Sequence, residues 1–269
     1  MSSFSTEWLA LREPFDLRAR NPRVLEAVSA SFGSRPSVRL ADLACGAGST
    51  ARALCRRLPI RQHWSLIDND SRLLAIARNA VVAETIELNA IQVDLSKNFD
   101  AAFETPLDLI TMSALLDLVS EDWLDGLLRK VMAHAIPIYA ALTYDGRTDL
   151  SPADPFDAAI LSAFNAHQGT DKGFGPALGP AAASATISGF ETSGYKVIHG
   201  NSDWVIGPED RTMQIELLRG WAGAADAMKT LADVDTARWL DRRIQLVNEG
   251  RSSIRVGHVD LFGFPSMTR

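Results

Sequence analysis

The chain has 269 residues, of which 46% are apolar and 22% charged, and its formal net charge is −6. This composition is typical of a globular protein, and the length suits one α/β domain with insertions. The acidic balance argues against a nucleic-acid partner, which needs a basic protein surface, and against an anionic membrane.

Helical and extended patterns alternate along the first half of the chain. A helical segment at 7–31, broken at Asn21-Pro22, precedes strands predicted at 38–43, 64–67, 91–93, 107–112 and 138–143. Ser71 and Ser120 are expected to cap the helices that follow the second and fourth strands. Alternating strands and helices predict a doubly wound parallel sheet, whose ligands bind beyond the carboxyl ends of the strands.

After residue 150 the pattern changes. Asp154-Pro155 is expected to start a helix, which leads into a glycine- and proline-rich loop at 168–180 and another helix to about 193. A strand near 195–199, a stretch near 202–206, helices at roughly 209–231 and 234–249 and a last strand at 254–261 follow. We predict one domain over 1–269, with a cofactor-binding core at 38–145, a lid insertion at 150–193 and a helical insertion at 207–250.

The most informative motif is the turn after the first strand, Asp42-Leu43-Ala44-Cys45-Gly46-Ala47-Gly48. Glycines let the backbone approach a ligand closely, and free N–H groups at the following helix start attract negative charge. An acid at the end of the first strand would repel a pyrophosphate, but it suits a ligand that carries an ammonium group. Asp68 and Asp94 also end predicted strands, so we expect three acids at one edge of the sheet.

This turn resembles the first motif of the class I S-adenosylmethionine-dependent methyltransferases, acid-x-Gly-x-Gly-x-Gly, with Ala44 in place of the first glycine. The resemblance implies a Rossmann-like, seven-stranded α/β sheet whose last two strands form an antiparallel edge. It also implies S-adenosylmethionine as the cofactor and methyl transfer as the reaction. It covers residues 38 to about 145 well, the final strands loosely and the lid not at all.

The resemblance further implies a set of cofactor contacts. The acid after the second strand would accept the ribose hydroxyls, and the acid after the third would accept the adenine amino group. The alternatives are a helix cap for the first of these acids and a turn residue for the second. A serine after the fourth strand would lie near the methyl group. The expected cofactor-binding residues are Asp42, Ala44, Gly46, Gly48, Asp68, Asn69, Asp94, Leu95 and Ser113.

Candidate acceptor-site residues follow the fifth strand and occupy the loop at 168–180. Tyr144 and Lys172 are candidates for substrate binding, and Asp145, His167 and Asp171 are candidates for a catalytic base. The alternatives are an ordinary Asp-Gly turn after Tyr144, packing of the histidine along a helical stripe and a solvated charge pair in the loop.

Other polar residues have less specific interpretations. One arginine of the N-terminal helical segment is a candidate for binding the methionine carboxylate, with a solvated helix face as the alternative; the three are Arg12, Arg18 and Arg20. Asp108 and Asp117 are expected at the surface or as caps. Cys45 and Cys55 are expected to be reduced rather than a disulfide or a metal site.

Together these observations predict methyl transfer to a small-molecule acceptor, with no metal, no nucleic acid and no membrane. The helices at 207–250 are candidates for extending the pocket or for a homodimer interface. One alternative is an NAD(P)-dependent oxidoreductase, because Gly46 to Ala51 also fits Gly-x-Gly-x-x-Ala. Another is a non-catalytic S-adenosylmethionine-binding module. With no signal peptide and no apolar run near ~20 residues, we expect a cytoplasmic protein.

Overall fold

The computed structural model describes residues 4–59, 61–229 and 235–266. Two helices come first, α1 (Thr6–Ala19) and α2 (Pro22–Phe32), and they meet at the predicted break. Asn21 caps α2, since its side chain accepts the Val24 N–H, and Pro22 has no N–H that would need a partner there.

Eight strands form one sheet within the described part of the chain. They are β1 (Ser37–Leu43), β2 (Arg61–Asp68), β3 (Ile86–Gln92), β4 (Leu109–Ser113), β5 (Ile138–Ser151), β6 (Tyr195–Asn201), β7 (Trp204–Ile206) and β8 (Ser253–Pro265). The connecting helices are α3 (Ser49–Leu54), α4 (Ser71–Ala77), α5 (Glu121–Ala133), α6 (Asp157–Gln168), α7 (Ala182–Thr192), α8 (Arg211–Met228) and α9 (Thr236–Asn248).

The strand order is β3-β2-β1-β4-β5-β8-β6, and β7 also pairs with β8. The first five strands are parallel, which confirms the doubly wound sheet. The last two predicted strands, at 195–199 and 254–261, are β6 and β8, and they pair antiparallel at one edge of the sheet, as predicted. β8 runs opposite to its neighbours and lies between β5 and β6, and the short β7 brings the sheet to eight strands instead of seven.

Apolar layers cover both faces of the central strands. On one face, Leu40 of β1 pairs in register with Trp64 of β2, and both side chains are buried with α2 and α3. On the other face, Ile110 and Met112 of β4 pack with α5 and α7. Burial on both faces explains why these strands are nearly continuous apolar runs.

A third apolar cluster lies where β5 and β8 extend beyond the other strands. Helices α6, α8 and α9 pack around this extension, and Trp239 is fully buried among them. Arg243 is also fully buried; its Nε donates to Asp157 Oδ1 at 3.0 Å and its Nη1 donates to the Pro152 carbonyl at 2.6 Å. The helices between β7 and β8 therefore stack on α6.

Several element boundaries differ from the prediction. β3 lies earlier in the chain than expected, so Asp94 stands two residues beyond its end. Asp70, not Ser71, caps α4 by accepting the Arg72 N–H. α6 starts at Asp157, since Asp154 and Pro155 form the turn before it. Part of each predicted helix at 209–231 and 234–249 lies outside the described residues, and no described helix is long and apolar enough to cross a membrane.

Candidate cofactor and acceptor site

The turn after β1 has the backbone of a ligand cradle. Ala44, Gly46 and Gly48 all have positive φ, at 50°, 54° and 83°. A Cβ on Gly48 would lie 2.7 Å from the Ala80 Cβ, so α3 and the end of α4 approach each other over this glycine. The turn therefore requires glycine at Gly48 for both conformation and space, while Ala44 holds a conformation that glycine adopts more easily.

Asp68 ties this turn to the end of β2. Its Oδ2 accepts the Gly46 N–H at 2.9 Å, and its Oδ1 accepts the Asp70 N–H at 2.9 Å. Burial is the largest influence on this carboxyl and raises its pKa, against the backbone N–H groups that lower it. The alternative role as a helix cap belongs to Asp70, which leaves Asp68 at the wall of the site.

A cavity of about 170 Å³ opens over these strand ends. The ends of the first four strands all contribute to its walls, and α1 and the loop after α6 complete it. The glycine turn, the Asp68 carboxylate and the Ser113 hydroxyl all contribute to its wall, and these groups suit the amino acid and nucleoside parts of S-adenosylmethionine. The predicted residues among those that line it are Ala44, Gly46, Asp68, Asn69, Leu95, Ser113 and Lys172.

The acids at the first and third strand ends do not line this cavity. Asp42 is fully buried beneath the turn, where Thr111 Oγ1 donates to its Oδ1 at 2.8 Å, and burial raises its pKa to about 7. Asp94 Oδ1 accepts the Ser96 hydroxyl at 2.6 Å and its Oδ2 lies 2.9 Å from Lys97 Nζ, contacts that lower its pKa to about 2. The ammonium and adenine roles of these two acids stay predictions.

Helix α1 contributes to the cavity wall through the candidate Arg12 and through Leu9, Glu13 and Asp16, which sequence reasoning did not assign to the site. Of the three arginines, Arg12 reaches the cavity; its Nε donates to Asp16 Oδ2 at 2.9 Å and its guanidinium lies 4.9 Å from the centre of the Trp204 ring. Arg52 pairs with Glu13 at 2.5 Å. The Arg52–Glu13 ion pair joins α3 to α1, and the contact between Arg12 and the Trp204 ring joins α1 to β7.

The other two arginines of this region serve the fold. Arg18 lies over the Phe15 ring, 4.6 Å from its centre. Arg20 is buried; its Nη1 donates to Tyr139 Oη at 3.1 Å and its Nη2 donates to Ser113 Oγ at 3.5 Å. Because a guanidinium offers only donors, the Ser113 hydroxyl accepts from Arg20 and keeps its own proton for a partner on the cavity side.

The loop after α6 closes the cavity on the opposite side. Asp171 Oδ1 accepts the N–H groups of Gly173 and Gly175, at 2.6 and 3.0 Å, so this carboxylate organises the loop. Phe174 lines the cavity and meets the Trp123 ring edge-on at 5.6 Å between centres. His167 does not line the cavity, but its Nδ1 lies 3.3 Å from Lys172 Nζ.

Tyr144 and Asp145 do not line the cavity, and in place of the alternative Asp-Gly turn the chain forms a bulge in which Gly146 has a φ of 86°. β5 continues through it as a bulged strand that pairs with β8, and Tyr144 lies opposite His258. The Tyr144 hydroxyl donates to Asn165 Oδ1 at 2.7 Å, and Asp145 Oδ2 accepts from Arg147 at 2.6 Å. Their roles in substrate binding and proton transfer stay predictions.

Asp117 is buried, so the expectation that it lies at the surface is wrong. It is 6% exposed, in a short 3-10 helix (Leu116–Leu118) just after the cavity residues Ser113 and Leu115. Burial raises its pKa to about 6, against the opposing effect of Arg12. Asp108 does lie near the surface, where it pairs with Arg35 at 2.5 Å.

The comparisons with known proteins agree with this geometry. Residues 40–137 match the methyltransferase domain family. This segment includes the glycine turn and strands β2 to β4, and its match agrees with the resemblance of the turn to the class I S-adenosylmethionine-dependent methyltransferases. No curated protein sequence matches the chain.

Solved structures share the fold at low sequence identity. A cyclopropane-fatty-acyl-phospholipid synthase-like protein from Lactobacillus casei is 13% identical, with coverage of 97% of this chain and 95% of that one and a TM-score of 0.55. The YcgJ protein from Bacillus subtilis is 13% identical, with coverage of 92% and 100% and a TM-score of 0.51. A methyltransferase from Thiobacillus denitrificans, solved with S-adenosyl-L-homocysteine, is 13% identical, covers 99% and 100%, and has a TM-score of 0.45.

No group of three or more His, Cys, Asp or Glu side chains that would hold a metal occurs among the residues described, and Cys45 and Cys55 are both free. Within that same part of the chain, no residue of α8 or α9 lines the cavity. The expectation that these helices extend the pocket is therefore wrong for this cavity, because they stack on α6 instead.

Proposed function

We propose that this protein transfers the methyl group of S-adenosylmethionine to a small-molecule acceptor. The observation that carries the proposal is the cavity over the strand ends, whose wall includes Leu9 and Arg12 of α1 and Lys172 and Phe174 of the loop after α6. A cavity with both a helix and a loop in its wall suits a compact acceptor better than a polymer. The net charge of −6 supports the same choice, since a nucleic acid needs a basic surface.

The cofactor supplies an activated methyl group on a sulfonium, so the protein contributes chiefly position and a dry environment. Asp68 and the glycine turn hold the ribose and the amino acid part in this proposal, and Ser113 faces the acceptor. The loop after α6 excludes water, with Phe174 packed on Trp123. Trp123 Nε1 donates to the Leu95 carbonyl at 3.0 Å, so the loop is coupled to the segment after β3.

Calorimetry with separate ligands tests the cofactor, and turnover tests the acceptor. S-adenosylmethionine and S-adenosylhomocysteine are expected to bind, and NAD is not. Incubation with pools of low-molecular-weight metabolites, followed by mass spectrometry, is expected to show a mass gain of one methylene unit in one compound. Binding of NAD alone would favour the oxidoreductase, and methylation of added nucleic acid or protein but of no small compound would overturn the proposal.

A further inference from the structure

The charged side chains at the cavity wall differ in whether they have a partner. Both arginines form ion pairs, Arg12 with Asp16 at 2.9 Å and Arg52 with Glu13 at 2.5 Å. Lys172 is different, since no acidic side chain within the described ranges forms an ion pair with it. Its Nζ donates to uncharged oxygens, one at the end of α6 and one in the loop after it.

Three short contacts hold this ammonium group in place. It donates to the His167 carbonyl at 2.9 Å and to Thr170 Oγ1 at 3.0 Å, and it lies 3.3 Å from His167 Nδ1. Burial lowers the pKa of Lys172, and burial together with the nearby ammonium lowers the pKa of His167. A neutral imidazole and two neutral oxygens thus orient a cation without cancelling its charge.

An oriented, uncompensated ammonium at the wall of a partly closed cavity favours an anionic group. Its neighbours in the cavity wall include apolar side chains, Phe174 from the same loop and Leu115 and Leu118 from the segment after β4. An acid with an apolar body matches this combination of one cation and apolar surface. The cofactor's positive sulfonium adds to the preference for an acceptor of negative charge.

We propose that Lys172 is a specificity-determining residue that binds a carboxylate of the methyl acceptor, so the acceptor belongs to the class of small organic acids with an apolar body. The proposal rests on the proposed function, since it assigns a substrate class to the same site. Ser113, with its oxygen accepting from Arg20, presents a second donor toward the same cavity.

Benzoate is the probe, because it joins a carboxylate to an apolar ring, and benzamide is its neutral counterpart. Isothermal titration measures the binding of each to wild-type protein saturated with S-adenosylhomocysteine. Benzoate is expected to bind, and benzamide is expected to bind at least tenfold more weakly. Failure of S-adenosylhomocysteine to bind contradicts the proposed function, whereas its binding without benzoate binding contradicts only this inference.

Substitutions test whether benzoate binding depends on the charge of Lys172 or on the ordered conformation of its loop. Lys172→Gln keeps a hydrogen-bond donor but removes the charge, and it is expected to weaken benzoate binding at least tenfold; Lys172→Arg restores binding to within about threefold. Thr170→Val removes one contact that orients the ammonium but keeps its charge, and it is expected to weaken benzoate binding by no more than about threefold. Lys196→Gln is the matched control; it removes the charge of an exposed lysine on β6 and is expected to bind benzoate as wild type does.

Two results would overturn the inference. If Thr170→Val weakens benzoate binding as much as Lys172→Gln, loop order rather than charge governs the site. If Lys172→Gln weakens S-adenosylhomocysteine itself tenfold, the ammonium serves the cofactor carboxylate and not the acceptor.

Discussion

The Asp68 carboxylate accepts the backbone N–H of Gly46 at 2.9 Å, which joins the end of β2 to the turn after β1. Replacing Asp68 with alanine is expected to weaken S-adenosylhomocysteine binding by about 2–3 kcal/mol, the usual effect of losing a charged hydrogen-bond partner. The chain should still fold, because the strand itself remains apolar. Calorimetry on Asp68→Ala and on Asp68→Asn, which keeps one acceptor oxygen, measures this, and unchanged affinity in the alanine variant would refute the ribose role.

Two substitutions in the turn after β1 are expected to change the free energy of unfolding in opposite directions. Ala44→Gly is expected to stabilise the protein by up to about 1 kcal/mol, since alanine is strained at a φ of 50°. Gly48→Ala is expected to destabilise by more than about 1 kcal/mol, because its Cβ would lie 2.7 Å from the Ala80 Cβ. Urea unfolding of both variants compares them with wild type, and equal effects of the two would contradict this account of the turn.

The buried Asp42 predicts a pH dependence of stability. Burial raises the pKa of this carboxyl from 3.8 to about 7, so the unfolded chain loses the proton first. Between these values the unfolded state binds fewer protons, and the free energy of unfolding therefore falls as pH rises, then becomes level above about 7. Asp42→Asn removes this contribution and should lose less stability than wild type between about pH 5 and pH 8. Parallel curves from urea unfolding would show that Asp42 titrates normally.

The loop after α6 is expected to respond to ligand. Hydrogen exchange at residues 168–179 should slow when S-adenosylhomocysteine binds, since Phe174 and Lys172 line the cavity. Asp171→Ala removes the acceptor for the Gly173 and Gly175 N–H groups, and it should speed exchange there and reduce turnover while cofactor affinity changes little. Asp171→Asn, which keeps an acceptor oxygen, is the control. Equal exchange with and without ligand would identify an ordinary surface loop.

The packing of α9 on α6 depends on a buried charge pair. Arg243 is fully buried against Asp157, so Arg243→Met is expected to lower the free energy of unfolding by about 3–5 kcal/mol through the carboxylate that it strands. Arg242→Met is the matched control; it breaks an ion pair with Asp154 whose arginine is 41% exposed, and it should have a much smaller effect. Chemical denaturation measures both, and similar losses would mean that burial does not set the strength of these pairs.

The sequence reveals the elements whose signals are local. An apolar strand followed by a glycine turn marks Asp42 to Gly48, and an N-terminal serine with acids after it marks α5, which Ser120 caps as predicted. The glycine pattern also places Gly46 in the cavity wall, and the spacing of Asp68 from it places that acid there too.

The features that the sequence analysis did not predict depend on residues that are remote in the chain. Leu116-Asp117-Leu118 has the alternation of a surface segment, yet its acid is buried, and among the groups that lower the pKa of this acid are Arg12 of α1 and the backbone of Tyr144, both remote in the chain. Likewise, Asp145 and Gly146 have turn chemistry, yet they form only a bulge within β5, because Tyr144 and Thr148 on either side of them pair with β8. Long-range pairing here overrides the local preference for a turn, and no short window of sequence contains the information on that pairing.

The position of β8 also constrains how the protein is made. β8 lies between β5 and β6, which are both synthesised earlier, and these two have no direct pairing in the sheet. During translation each therefore presents an open edge until the residues up to Pro265 have emerged from the ribosome. Open strand edges are where nascent chains associate wrongly. Ribosome-stalled chains that stop before Ser253 should therefore bind chaperones that recognise unpaired strands, and chains stalled on a linker added after Arg269, long enough for Pro265 to leave the ribosome, should release them.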